Sequence, residues 1–369
     1  MDIFEKNANM LLGFGIMRIP ENDAGDVDTD LLAKLADRFM EKGFTYFDTA
    51  HTYLGGRAEG AFKTAVADRY PREAYQIATK LPLFQLKTKE EYKAMMDLSL
   101  ERLGTGYVDF WLIHSLVEET MKRAEDCGVW DLMKEYKAAG KAKHIGFSYH
   151  DSPELLDAYL DRHPEAEFVQ LQVNYMDWED EKIRARECCE VVRKHGLPII
   201  IMEPIKGGGL ATGNEEAKAL LGGETAASMA LRWCAQVDGV KMILSGMNTM
   251  EQMDENCGVL ADPKPLTEEQ NAAMVKIADI LRRIPRVACT ACKYCEEGCP
   301  MKIRIHWIID LYNNATVFQN PDPVRGTFGR FLGDSGKPSL CIKCGLCESV
   351  CPQHLPIPEI MEKAAEILE

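Results

Sequence analysis

The sequence predicts an α/β protein: a closed (β/α)8 barrel, the TIM-barrel architecture, followed by a small cysteine-rich α+β domain. Three observations predict it. Short apolar stretches alternate eight times with longer amphipathic ones between residues 12 and 262. The length of 369 residues suits one large barrel plus an appendage. Eight of the 13 cysteines fall in two runs, CTACKYCEEGCP (289–300) and CIKCGLCESVCP (341–352). The boundaries read as 1–262 for the barrel, 263–286 for a helical joint and 287–369 for the cysteine domain.

The expected strands are LGFGIM (12–17), FTYFD (44–48), YQIATK (75–80), YVDFWLI (107–113), KHIGFS (143–148), FVQLQVN (168–174), PIIIM (198–202) and VKMIL (240–244). Between them lie segments of helical periodicity, such as 30–43, 90–104 and 180–196, several ending in the glycine that commonly stops a helix. Strands alternating with helices give a parallel sheet, and a count of eight favours closure over an open doubly wound sheet. A dinucleotide-binding fingerprint would favour the open sheet. GFG at 13–15 lacks its third glycine and a following helix.

Composition bounds the function. A formal net charge of −15 argues against nucleic acid and against anionic membrane surfaces, which need basic patches. The opening MDIFEKNANM has no basic segment leading into an apolar one, so no secretory signal is expected, and no apolar run approaches the ~18 residues of a spanning helix. The expectation is a soluble, cytoplasmic protein acting on a small molecule. An odd number of cysteines sits badly with a secreted disulfide framework, and Cys127, Cys188, Cys189, Cys234 and Cys257 read as reduced core or helix residues.

A barrel places its chemistry at the C-terminal ends of its strands or in the loops just beyond. Asp48 ends the second strand, Tyr53 follows five residues on, Lys80 ends the third strand and His114 caps the fourth. A free tyrosine, with a pKa of about 10, is a poor acid or base at neutral pH. A lysine beside it favours the phenolate, and an aspartate can hold that lysine in place. A histidine can donate a hydrogen bond to a substrate oxygen. Together these groups make a proton donor for a carbonyl receiving a hydride.

GFTYFDTAHTYLGG (43–56), IATKL (77–81) and VDFWLIHS (108–115) resemble the aldo-keto reductase family, in order and at family spacing, over about the first 260 residues. The resemblance implies carbonyl reduction with NAD(P)H, using Tyr53 as proton donor, Lys80 and Asp48 to tune it and His114 to orient the substrate. By the same matching, Ser148 and Gln170 stand where the family contacts the nicotinamide carboxamide. EPIKGGGL (203–210), with Glu203, Lys206, Gly207 and Gly208, matches a phosphate-binding segment. So does SGMNTMEQMDEN (245–256), with Gly246, Asn248, Thr249, Gln252 and Asn256. Three positions depart from the family. Met202 replaces an aromatic that stacks on nicotinamide, Asn248 and Thr249 stand where many members carry Arg or Lys for the 2′-phosphate of NADP, and Tyr149 replaces the usual Asn.

Both cysteine runs follow C-x2-C-x2-C-x3-C-P. Zinc sites typically use separated pairs, and an internal compartment disfavours disulfides. The spacing resembles that of bacterial two-cluster ferredoxins, in which the fourth cysteine of each run ligates the other cluster. That resemblance implies a ferredoxin-like iron–sulfur domain. Cys289, Cys292, Cys295 and Cys351 would hold one 4Fe-4S cluster; Cys341, Cys344, Cys347 and Cys299 would hold the second. Between the runs, 303–318 reads as a helix followed by a Gly/Pro-rich loop, and Thr267 with Gln270 reads as a capping box opening an amphipathic helix over 263–285.

Hydride chemistry moves two electrons together, whereas a 4Fe-4S cluster passes one, and flavin is the usual intermediary. Three readings therefore stand. The first is an NAD(P)H-linked aldo-keto reductase-type oxidoreductase with an attached two-cluster module. The second is an FMN-dependent enzyme that takes single electrons from a ferredoxin or other redox protein. In the third, the clusters serve only to hold the fold or to dock a partner.

Overall fold

Strands of a parallel sheet are covered on both faces, so they read as near-continuous apolar runs. The eight such runs form eight strands: β1 (Leu12–Gly15), β2 (Tyr46–Asp48), β3 (Gln76–Pro82), β4 (Val108–Leu116), β5 (Ala142–Tyr149), β6 (Val169–Gln172), β7 (Ile199–Met202) and β8 (Val240–Ser245). The computed structural model describes residues 11–83, 86–212, 214–289 and 292–369. The opening segment MDIFEKNANM, read above for a secretory signal, lies outside the described residues. The strands pair in parallel in chain order, and β8 closes the barrel on β1 through Leu12↔Ile243 and Phe14↔Ser245.

The two-residue period of each strand sorts its side chains between two cores. Tyr46, Ala78, Phe110, Leu112, Phe168, Ile200, Met242 and Leu244 form one buried cluster, which fills the barrel. Phe14, Phe47, Ile77, Trp111, Ile145 and Val169 point the other way and pack with the helices in a larger one. Large inward residues require small neighbours. A β-carbon on Gly146 would lie 2.4 Å from the Phe168 carbonyl oxygen, and one on Gly13 would lie 2.6 Å from Leu244 Cδ2.

Helix starts follow from local hydrogen bonding. Asp28 caps Thr29–Glu41 by accepting from the Leu31 N–H, and Thr88 with Glu91 makes a reciprocal capping box for Lys89–Leu103. That second helix stops at Gly104, which adopts φ 66°, a left-handed conformation that costs glycine little. Among the described residues no helix is long and apolar enough to cross a membrane.

The chain divides into two compact units. The first runs through Ile205 and resumes over Ser228–Glu268; the second comprises Lys206–Ala227 and Glu269–Glu369. The joining helix, Glu268–Arg283, thus falls almost wholly in the second unit, as does the segment after Ile205. In that unit, Ile305–Phe318 and Ile357–Leu368 pack through Ile305, Ile308, Ile309, Ile360, Met361 and Ala364. Gly209 lets its backbone lie against the Phe318 ring, where a β-carbon would come within 2.6 Å. Where the sequence suggests an α+β module, the regular elements among the described residues of this unit are helices, and their β pairing is one isolated bridge, Ile303↔Gly336. The expected Gly/Pro-rich loop holds a helix, Asp322–Phe331, because Pro323 lies in its first turn and Val324 and Phe328 are buried.

Gly146→Ala is expected to overpack the barrel interior, costing about 1–3 kcal/mol. Thermal unfolding followed by near-UV circular dichroism should show a midpoint lower by roughly 2–4 °C per kcal/mol.

Candidate functional site

The inward positions at the C-terminal strand ends bring the sequence-selected residues together. Asp48 and Lys80 are buried to 3% and 1% exposure on neighbouring strands β2 and β3. Lys80 Nζ donates to Asp48 Oδ1 at 2.5 Å and to the Thr49 carbonyl at 2.8 Å. It also lies 4.8 Å from the centre of the Tyr53 ring. Tyr53 meets His114 edge to face, with ring centres 5.7 Å apart. Four residues separated by as many as 66 positions in sequence therefore share one end of the barrel.

Electrostatics set their protonation. Burial pulls the Lys80 pKa down, but the Asp48 carboxylate, with Tyr53, raises it above the ordinary lysine value, so Lys80 is an ammonium. Burial raises Tyr53 above the usual phenol value and outweighs the lowering by Lys80. Here the outcome differs from the sequence expectation of a favoured phenolate: the phenol keeps its proton, as a donor must. Burial, then the Lys80 charge, depresses His114 to about 3. A neutral imidazole results, and its Nδ1 is buried with no hydrogen-bond partner among the described residues.

Tyr53 sits on a tight turn, Tyr53–Gly56, in which Leu54, Gly55 and Gly56 adopt φ of 53°, 66° and 84°. Leu54 pays a steric cost in that conformation. Arg57 holds the turn by donating to the Leu54 carbonyl at 2.9 Å and the Gly25 carbonyl at 2.8 Å.

Beside the tetrad, Ser148 on β5 and Gln170 on β6 are register partners. Ser148 Oγ accepts from the Ser115 N–H at 2.8 Å, which leaves its hydroxyl proton free to donate. Gln170 Nε2 donates to Met202 Sδ at 3.4 Å, while its Oε1 is buried without a partner among the described residues. One free donor next to one free acceptor complements a primary carboxamide, which offers a carbonyl and an NH2 group. These residues fit a nicotinamide ring.

The proposed phosphate segments behave differently. Thr249 accepts from the Gln252 N–H, and Gln252 Oε1 accepts from the Asn248 N–H at 2.9 Å, so both side chains start the Met250–Ala261 helix. Asn256 is buried and donates to Ser245 Oγ at 3.1 Å. Gly246 carries the stem of Arg18 against it, and Arg18 Nη2 lies 3.5 Å from Glu203 Oε1. Sequence reasoning missed Arg18. Its signal was a basic residue just past β1, in the turn Ile16–Arg18. Lys206, Gly207 and Gly208 form a turn of the second unit. Tyr149, which replaces the family's Asn, is buried and donates to the Ser152 carbonyl at 2.6 Å.

The cysteines fall into two sets that cross between the runs. Cys289, Cys292, Cys295 and Cys351 line one cavity with Lys293, His306, Ile309 and Leu355. Cys299, Cys341, Cys344 and Cys347 line another with Met301, Ile303, Ile305 and Met361. Burial pushes the Cys295 thiol up to about 12 and the Cys347 thiol to about 11. Such thiols ionise at neutral pH only when a metal centre binds the thiolate. Four sulfurs around an apolar cavity fit an iron–sulfur cluster.

Comparison with known proteins agrees with this geometry. The sequence profile of the aldo/keto reductase family matches residues 11–279, and that of the 4Fe-4S dicluster domain matches 288–355. An aldo-keto reductase of Mycolicibacterium vanbaalenii is 25% identical over 272 residues, covering 73% of this chain and 88% of the relative. Norsolorinic acid reductase of Emericella nidulans is 30% identical over 147 residues, 35% of each chain. The chain spans about half or less of several curated relatives it matches, from 35% to 55% of their length. The crystal structure of an aldo-keto reductase from Klebsiella pneumoniae in complex with NADPH has the same fold. Its TM-score is 0.59 at 20% identity, covering 73% of this chain and 90% of that one.

The depressed His114 makes stability depend on pH. Its imidazole takes up a proton near 6.5 in the unfolded chain but only near 3 in the folded barrel. The unfolded state thus binds more protons in that window, and stability should fall as pH drops from 6.5 toward 4. His114→Gln should flatten this slope in urea titrations at successive pH values.

Proposed function

The chain belongs to the aldo/keto reductase family, and from that premise we propose that it reduces a small carbonyl compound with NAD(P)H and exchanges single electrons through two 4Fe-4S clusters. The observation that carries the reading is the Lys80 ammonium, buried against Asp48 and beneath the Tyr53 ring. A bound nicotinamide supplies the hydride to the carbonyl carbon. Tyr53 gives its phenolic proton to the carbonyl oxygen as negative charge develops there. Lys80 stabilises the phenolate left behind, and Asp48 keeps Lys80 charged. Neutral His114 can donate one hydrogen bond to the same oxygen, which fixes the substrate's orientation. Solvent then returns a proton to Tyr53, which balances the reduction. Ser148 and Gln170 are the carboxamide contacts in this reading.

In the second unit, Cys289, Cys292, Cys295 and Cys351 would ligate one cluster and Cys299, Cys341, Cys344 and Cys347 the other. Their chemistry is one-electron exchange, so the implied partner is a ferredoxin or another one-electron redox protein.

Protein purified without oxygen should oxidise NADH or NADPH in the presence of an aldehyde or ketone. Tyr53→Phe should lower kcat by about 10²–10⁴-fold, the usual contribution of a positioned general acid. Undiminished turnover would sink the assigned role. Flavin released on denaturation would instead make FMN the barrel's cofactor. Iron analysis should give about eight atoms per chain, as two four-iron clusters require. Cys351→Ala and Cys299→Ala should each weaken a different cluster's electron paramagnetic resonance signal, because each cysteine serves the cavity of the other run.

A further inference from the structure

Of the acidic side chains that the barrel buries outside the reaction, among them Asp109 and Asp177, Glu59 lies nearest in sequence to the Tyr53 turn. Glu59 is fully buried, at 0% exposure, in the short helix Ala58–Phe62 just after the Tyr53 turn. An acidic side chain is almost never buried so completely without partners. Its Oε1 accepts from Thr79 Oγ1 at 2.7 Å. Thr79 is also fully buried, and it is the outward-facing neighbour of Lys80 on β3.

The other carboxylate oxygen faces a second set of groups. Glu59 Oε2 is buried without a hydrogen bond among the described residues; it lies 3.7 Å from His51 Nδ1 and 4.0 Å from Arg102 Nη1, and the Ser99 hydroxyl faces the same carboxylate. His51 Nδ1 is 2.9 Å from Ser99 Oγ, and its Nε2 is 3.3 Å from Arg102 Nη1. A guanidinium can only donate, so Nε2 must accept and Nδ1 must carry the ring proton. Ser99 Oγ then accepts from His51, which leaves its own proton to orient toward the unsatisfied Glu59 Oε2 by electrostatic attraction. Burial, then the Arg102 charge, lowers His51 to about 4, which agrees with a neutral ring in this chain of bonds. His51 stands two residues before Tyr53, and its backbone N–H donates to the Lys80 carbonyl at 3.4 Å.

One carboxylate thus ties the strand that carries Lys80 to the loop that carries Tyr53. We propose that Glu59 is a positioning residue for the proton donor, acting through Thr79 on one side and through Ser99 and His51 on the other to hold the Tyr53 phenol over the Lys80 ammonium. The Tyr53 turn needs such a tie, because three consecutive left-handed residues follow the tyrosine directly. Displacement of a reacting group by about 1 Å can cost on the order of 10²-fold in rate, even when the change lies away from the chemistry.

The proposal rests on the Tyr53 role stated above, and the test separates the two. Thr79→Val and Ser99→Ala each cut one arm while nearly preserving shape. Each is expected to lower kcat by roughly tenfold, with KM for the nicotinamide within twofold of wild type. Thr79→Ser, which keeps the hydroxyl, should restore kcat. A second measurement needs no turnover. Fluorotyrosine incorporated at Tyr53 reports the titration of its phenol by ¹⁹F NMR in the full-length holoprotein. The charged or titratable groups facing it are Lys80, Asp48, Glu203 and His114, and neither variant alters any of them. In Thr79→Val and Ser99→Ala the loosened loop should admit water, and the titration should move down toward that of a free tyrosine. Unchanged kcat and an unchanged titration in folded variants would overturn the proposal. So would a loss in Thr79→Val that Thr79→Ser fails to recover. A wild-type protein without NAD(P)H-dependent turnover would count against the carbonyl reductase reading alone, since the titration would still decide what Glu59 does.

Discussion

A lysine with 1% of its surface exposed is tolerable only because a carboxylate meets it inside the barrel. Removing either Lys80 or Asp48 would leave an uncompensated buried charge, a loss of about 3–5 kcal/mol in comparable pairs. The rest of the site follows from this pair. The ammonium helps keep His114 neutral and lies under the Tyr53 ring, while the Thr49 carbonyl accepts a further hydrogen bond from it. The pair is itself a product of strand geometry: β2 and β3 each turn an inward position to the same end of the barrel, and the register places Asp48 beside Ala78, two residues before Lys80.

The phenol is governed by the competition between desolvation and that ammonium. Lys80 alone would favour the phenolate, yet burial wins and keeps the proton on oxygen. A donor held this way is charged only after it has acted, at the moment the ammonium can stabilise it. The cost appears in the backbone, where Leu54 occupies a left-handed conformation. Strain of this kind persists only where surrounding contacts over-determine it. Arg57 on one side of the turn and the Glu59 network on the other supply those contacts.

The second unit solves a different problem. Cys295 is buried and Cys347 partly so, and burial raises both thiols, which makes their thiolates costly without a metal centre. Each set of four draws three cysteines from one run and the fourth from the other, so the two runs must fold together. The helices Ile305–Phe318 and Ile357–Leu368 bring them together through an apolar core that also lines the cavities. A short bridge suffices for β structure because helix packing already holds the loops.

Sequence alone determined the eight strands, the order in which they carry Asp48, Lys80 and His114, and the two cysteine runs. Those features are written in periodicity and spacing, which are local. It also marked Tyr53, since a five-residue step from a strand end keeps a side chain within reach of the rim. Tertiary structure decided what depends on neighbours distant in the chain. It set the balance that keeps Tyr53 protonated, gave Thr249, Gln252 and Asn256 structural partners, and paired Arg18 with Glu203 across 185 positions. It made a helix of the segment 322–331, whose glycines and proline read locally as loop, by burying Val324 and Phe328. It also gave the buried Glu59 its partners from β3 and from the Lys89–Leu103 helix. Local pattern fixes which face of an element is apolar; only closure of the barrel decides which polar groups are shut in together, and at that point desolvation sets their charge.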